Sequence, residues 1–326
     1  MEGADVGDRR GERETLRVLE EHGWAGRLVP AERRFDLWEE IEGRVRSGEV
    51  DRELFETYLS GFEAGLGEAP EWARSILIVA GAVPAIRIRF GWQGREVGVT
   101  VPPSYLPGAE WIDRVIERVL CERGADDGAG SGDETQFATA NVPRKLLAAR
   151  SGLARYGRNN VSYIEGMGSY YRLVAFYGSI PVDEDVWHEP EMLASCQSCR
   201  LCLDACPTGA IGEDRFLLHA EKCLTYWNEK PTDVPFPEGT DPGLHELLIG
   251  CLRCQTVCPH NRGLLQVEEA ETAFTEEETE GLLGFASDDT LPAPTVEKLE
   301  RLDLHWYLEV LPRNLRAAFD AAASKG

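Results

Sequence analysis

Four cysteines fall within eleven residues of the stretch SCQSCRLCLDACPTGAI, at Cys196, Cys199, Cys202 and Cys206, and the last precedes Pro207. A second run, Cys251-x2-Cys254-x3-Cys258-Pro259, follows a lone Cys223. Three cysteines spaced by two can wrap one face of an iron–sulfur cubane. A fourth, after a longer gap and before proline, turns to the neighbouring cluster. The spacing therefore predicts two [4Fe–4S] clusters. One takes Cys196, Cys199, Cys202 and Cys258; the other takes Cys206, Cys223, Cys251 and Cys254. Zinc is the competing reading, but its sites present two C-x2-C pairs per ion, and neither the triple spacing nor the paired Cys-Pro endings suit one tetrahedral metal.

These eight thiols lie in a chain of 326 residues, 43% hydrophobic and 28% charged, which can bury a sizeable core. The ninth cysteine, Cys121, stands apart and reads as a small buried apolar residue. Reducing compartments disfavour disulfides, and a chain this long does not need them. No apolar run approaches a membrane span, and the opening MEGADVGDRRGERETL has neither an apolar leader core nor a twin-arginine signal. The expected location is the cytoplasm, with no membrane partner. A net charge of −23, with five lysines among 34 basic residues, serves solubility and disfavours phosphate backbones, so nucleic acid is not expected as a partner.

The elements that must position the cysteines read as follows. Residues 14–23, 35–46 and 52–66 show helical periodicity, giving a helical N-terminal segment over 1–70. SILIVAGAV (75–83) and YYRLVAFYGSI (170–180) are buried-strand candidates, and AIRIRFGWQGREVGVTV is a hairpin turning at Gln93-Gly94. EWIDRVIERVLCERG (110–124) and PRKLLAARSGLARYG (143–157) read as helices, with a flexible loop over 125–134 between them. The expected fold is an α/β (α+β) domain over 70–190, a ferredoxin-like domain with two clusters over 191–265 and a short helical tail over 266–326. The 27 residues between Cys223 and Cys251 (224–250) exceed what a free-standing electron carrier needs.

AARSGLARYGRNN (148–160), GMGSYYRL (166–173) and the cysteine block together resemble the epoxyqueuosine reductases and, more distantly, the cobalamin-dependent reductive dehalogenases. The resemblance covers roughly 70–261. It implies a cobalamin-binding-type front domain in which base-off cobalamin sits beside two clusters that feed electrons to cobalt. By position it assigns Asn159, Ser162, Leu173 and Thr225 to the corrinoid. Gly152, Gly157 and Gly168 could let backbone approach a flat ligand, and Arg158, Asn159, Asn160 and Ser169 could supply donors to corrin amides. The catalytic aspartate of the epoxyqueuosine enzymes falls at Ala138, which has no proton to give. Asp133 and Glu134 are near in sequence, and Tyr105 in VPPSYLPG is a further acid candidate.

The expected function is a cobalamin-dependent, two-cluster reductase of a small substrate. An electron donor of ferredoxin or flavodoxin type would serve it. Two alternatives stand beside this: an electron-transfer protein without catalysis of its own, and authentic epoxyqueuosine reductase.

Overall fold

The computed structural model describes residues 5–105, 114–115, 118–119, 135–213, 216–238, 240–285 and 290–323. In chain order its elements begin α1 (Asp5–Glu21), β1 (Trp24–Pro30), α2 (Arg33–Arg46) and, after short helical turns over 52–65, β2 (Ser75–Ala82). Then come β3 (Ala85–Trp92), β4 (Arg95–Val101), β5 (Phe137–Thr139), α3 (Arg144–Arg150), β6 (Arg155–Tyr156), β7 (Ser162–Tyr163) and β8 (Tyr171–Gly178). The cysteine region holds the short helices α4 (Leu201–Asp204), α5 (Leu224–Asn228) and α6 (Arg253–Thr256). The chain closes with β9 (Val267–Phe274), α7 (Glu276–Leu283), α8 (Ala293–Arg301) and α9 (Leu311–Ala323).

The structure divides the chain differently from the expected order of domains. One compact unit takes residues 1–82 and 109–199; the other takes 83–108 and 200–326. The boundary thus falls inside the first cysteine run, after Cys199.

The first unit is built on an antiparallel sheet of order β1-β2-β8-β5. The 75–83 run lacks polar alternation because β2 is buried on both faces. Leu77 and Val79 face a core with Val18, Leu19, Val115 and Val119, while Ile76, Ile78 and Ala80 face one with Leu37, Leu147 and Ala148. The N-terminal 70 residues are therefore not a separate helical segment, since β1 pairs with β2 along its whole length. Of the helix expected over 110–124, residues 114–115 and 118–119 are described and helical, with both valines buried. Cys121, the 125–134 loop, Asp133 and Glu134 lie outside the described residues.

In the second unit the hairpin forms as expected. Gln93 (φ 51°) and Gly94 (φ 71°) both take left-handed backbone, the geometry of a type I′ turn that matches strand twist. The expected helical tail differs, because it contributes a strand. β9 joins β3 in parallel to give the order β4-β3-β9. Helices α7 and α9 cover this sheet around Phe90, Phe274 and Phe319, with the Phe90 and Phe274 rings stacked 4.9 Å apart. Thr275 caps α7 through a reciprocal box with Glu278, whose carboxylate also takes a 2.6 Å bond from Lys298. Among the described residues no helix is long and apolar enough to cross a membrane.

Candidate iron–sulfur site

The two cysteine runs fold alike. Arg200 (φ −121°, ψ 0°) opens α4 as Leu252 (φ −103°, ψ 0°) opens α6, and Ala205 (φ −84°, ψ −9°) closes the one as Val257 (φ −81°, ψ −10°) closes the other. The Cys206 amide donates to the Leu203 carbonyl at 3.2 Å, and the Cys258 amide donates to that of Gln255 at 3.2 Å. Each following proline lacks an N–H, so the helical turn stops and the chain bends away. The carbonyls of Cys206 and Cys258 then accept from Gly209 and Asn261 at 3.4 and 3.0 Å. Helices α4 and α6, carrying Cys202 and Cys254, pack on each other. The motif repeated in the sequence is thus a repeated backbone.

Cys206, Cys223 and Cys251 come into one neighbourhood. Burial pushes the Cys251 thiol up to about 11, and the nearby Cys223 and Cys206 push it the same way. Burial also raises Cys223, with Cys206 adding to the effect, while the amide and hydroxyl of Thr225 and the amide of Tyr226 donate to its sulfur and offset part of it. Cys223 and Cys251, two of the four thiols assigned to the second cluster, therefore hold their protons at neutral pH until iron displaces them. All eight cysteines of the block are free thiols. Among the described residues no three His, Cys, Asp or Glu side chains stand close enough to share one ion. A cubane, whose corners are spread over four irons, makes no such demand. The donor set suits iron–sulfur chemistry.

Arg158 holds the first run. Its Nε donates to the Cys199 carbonyl at 2.9 Å, and one Nη donates to the carbonyls of Cys196 (2.5 Å) and Gln197 (3.4 Å). The rest of the glycine-rich strip is likewise tied up within its own unit. Asn159 is buried, donates to the Tyr163 hydroxyl at 2.9 Å and accepts from the Val161 amide at 3.3 Å. Ser162 is buried and accepts from the Tyr171 hydroxyl at 2.7 Å. Leu173 in β8 and Thr225 in α5 are half-buried. Asn160 takes left-handed backbone (φ 57°), and Lys145 Nζ donates to its carbonyl and side-chain oxygens at 3.0 and 3.2 Å. The Lys145 stem is exposed, but burial of the ammonium draws its pKa down to about 8.

The strip's glycines serve the chain's own packing and turns. A Cβ on Gly157 would come within 2.5 Å of the Tyr163 ring, and one on Gly152 within 2.9 Å of His188. Beside them Gly152, Arg155, His188 and Glu191 line a cavity of about 150 Å³, below the about 300–1,000 Å³ usual for cofactor sites.

Comparison with known proteins follows the cysteines. Residues 195–261 match the 4Fe–4S double cluster binding domain. Over 154 residues the chain is 34% identical to the epoxyqueuosine reductase of Lactococcus garvieae, a match spanning 46% of this chain and 42% of that one. Over 200 residues it is 28% identical to the Burkholderia pseudomallei enzyme, spanning 56% and 47%. This chain is a relative of the epoxyqueuosine reductases. The matched regions span less than half the length of these two relatives.

The fold likeness is wider than the resemblance over 70–261. Epoxyqueuosine reductase from Bacillus subtilis, solved with its catalytic aspartate loop swung out of the active site, superposes with a TM-score of 0.65 at 21% identity, covering 96% of this chain and 82% of that one. An epoxyqueuosine reductase bound to an epoxyqueuosine-modified tRNA-Tyr stem loop superposes at 0.62 and 19% identity, with the same two coverages.

Ala138 lies in β5 opposite Tyr177 and carries no acid. The Tyr105 hydroxyl donates to the Glu229 carboxylate, and its main-chain oxygen accepts from Tyr307 at 2.8 Å. Burial, then Glu229, hold the Tyr105 phenol well above its ordinary range, and burial raises Glu229 as well. Sequence reasoning named Tyr105 and missed Glu229. It also missed Arg158 as a clamp on the cysteines, because a cation 38 residues upstream of Cys196 carries no local signal.

Proposed function

We propose that the chain is an iron–sulfur oxidoreductase that carries electrons through two [4Fe–4S] clusters to a corrinoid, from an electron donor of ferredoxin or flavodoxin type. The observation that carries this reading is the repeated Cys-Pro half-motif, with Cys206 near enough to Cys223 and Cys251 to act on both thiols. Two interleaved sets make a short path for electrons, which a single structural metal does not require. A bound corrinoid supplies a reducible cobalt. Of the four residues the resemblance assigns to it, Leu173 and Thr225 keep part of their side chains accessible, while Asn159 and Ser162 shape the strip from within. Anaerobic reconstitution with iron, sulfide and cobalamin, followed by metal quantitation, absorbance and EPR, tests the proposal. Protein that takes up both clusters and no cobalamin supports the electron-transfer reading instead.

A second reading, reduction of epoxyqueuosine in tRNA, draws support from the distribution of charge. The expectation against nucleic acid rested on the net charge of −23, yet residues 144–172 carry six cations (Arg144, Lys145, Arg150, Arg155, Arg158, Arg172) and one carboxylate, Glu165. Arg150 and Arg155 are paired with glutamates, whereas Arg144 donates to the Leu173 carbonyl and Lys145 to the oxygens of Asn160, all neutral groups. A local cationic face can meet phosphate even on an acidic protein. Restoration of queuosine in a strain lacking the enzyme supports this substrate; failure with fully clustered protein removes it.

A further inference from the structure

We propose that Asn228, Arg313 and Asn314 are positioning residues for the second cysteine set: helix α9 pins both ends of the segment separating Cys223 from Cys251. The inference rests on the two-cluster reading and adds to it Asn228, which the cysteine motif does not include, and Arg313 and Asn314, which lie outside the matched domain as well.

Cys223 precedes α5 and Asn228 ends it. The Asn228 amide then closes a reciprocal pair across the segment. Its Nδ2 donates to the Gly250 carbonyl at 2.7 Å, and its Oδ1 accepts from the Gly250 amide at 2.9 Å. Gly250 is the residue before Cys251. This pair therefore ties the short helix that starts at one thiol to the residue that precedes the other.

Asn314 in α9 fastens the tie from behind, donating to the Asn228 carbonyl at 2.7 Å and the Leu248 carbonyl at 3.0 Å. Both asparagines are almost fully buried. The neighbouring Arg313 spreads its guanidinium over the carbonyls of Trp227 (2.9 Å), Lys230 (2.8 Å), Pro231 (3.2 Å) and Val234 (2.5 Å). A buried amide is a strict device here. Deleting it leaves two carbonyls without partners in a water-free place, and the cheapest relief is for the segment to move. Movement at Asn228 or Gly250 is movement of Cys223 or Cys251.

The next residue, Leu315, is an internal control. It is fully buried in the apolar core of the same helix. Its truncation weakens the unit without freeing those carbonyls.

The test compares reconstituted wild type, Asn314→Ala and Leu315→Ala by iron release to a chelator and by EPR of the reduced clusters. Cys223→Ala protein, which keeps the first set, identifies the signals. In Asn314→Ala, half of the iron is expected to leave at least tenfold faster, and the second cluster's EPR signal to shift, while the first cluster stays as in wild type. Leu315→Ala is expected to lower the melting temperature without separating the two halves. Equal release of both halves in Asn314→Ala, or the same selective loss in Leu315→Ala, overturns the inference. Should Asn314→Ala not fold, Arg313→Lys keeps the charge and removes the fork. It is expected to speed the same half of the iron severalfold, and wild-type release there overturns the inference. Wild-type protein that takes up no iron overturns the two-cluster reading, and this inference with it.

Discussion

The two cysteine runs share a backbone and differ in what holds them. The first is contiguous: its turns follow from spacing and from Pro207, and one guanidinium, Arg158, secures the carbonyls of Cys196 and Cys199. The second set is gathered from three places, with residues 224–250 intervening between two of its thiols. Closing a loop of that length costs about 3 kcal/mol of chain entropy. Asn228, Asn314 and Arg313 offset that cost with buried hydrogen bonds. A run encoded by spacing needs little outside help, whereas thiols brought together from either side of residues 224–250 depend on residues far along the chain.

The sharpest way to break the comparison is at Cys206, which sits in the first run and serves the second set. Cys206→Ala is expected to lose half of the iron while the first cluster's EPR signal stays unchanged. Loss of the first signal would return Cys206 to its own run. Iron content of Cys121→Ala should equal that of wild type.

Next in size are two glycines, both with positive φ. Gly250 (φ +75°) has no room, since a Cβ would come within 2.6 Å of the Tyr105 ring. Gly209 (φ +63°), in the turn after Cys206, has open space around it. Urea unfolding should show Gly250→Ala destabilised by about 2–4 kcal/mol, from backbone strain and overpacking together, and Gly209→Ala by about 1 kcal/mol from the backbone alone. Equal losses would mean that the second run is no more tightly surrounded than the first.

Arg158→Ala probes the first run in the same way. Removing a charged donor from these carbonyls should cost about 2–3 kcal/mol. It should also make the first cluster the faster to release iron, with Arg158→Lys recovering part of the loss. Selective loss of the second cluster instead would show that the clamp serves the wrong set.

A pH dependence belongs to the segment before Cys251, and it is small near neutral pH. His245 is 3% exposed, stacks on Phe236 at 3.9 Å and has a buried Nε2 without a partner. Burial, then the nearby Arg313 and Arg253, draw its pKa from 6.5 to about 4. Between those values the unfolded chain binds the proton and the folded chain does not. Stability is therefore full above about pH 6.5 and falls as pH drops toward 4, by up to about 1.4 kcal/mol per pH unit. His245→Phe, which keeps the stack, should flatten the dependence of the urea midpoint between pH 7 and 5. An unchanged slope would place the acid sensitivity elsewhere.

Much of this was legible in order along the chain. The buried run at 75–83, the Gln93-Gly94 turn and the duplicated cysteine spacing are local patterns, and each folds as its pattern indicates. The glycine-rich strip was legible as unusual but not in its purpose. Gly157 makes room for the Tyr163 ring, and Arg158 reaches the cysteine carbonyls, contacts that no spacing rule encodes. The C-terminal residues read as a helical tail because β9 is mostly polar and exposed in its first half. Only its parallel pairing with β3 makes it a strand.

By itself the sequence determined the chemistry: eight thiols in two Cys-Pro half-motifs set the turn geometry and the class of cofactor, because turns and ligand spacing depend on neighbours a few residues apart. Only the tertiary structure decided that the hairpin and the C-terminal helices share a core, that Ala138 lies in a strand without an acid, and that Asn314 stands behind Asn228 and Gly250. Those contacts span 66 to 86 residues for Asn314 alone. Over such separations burial and hydrogen-bond satisfaction choose the partners, and no local pattern records the choice.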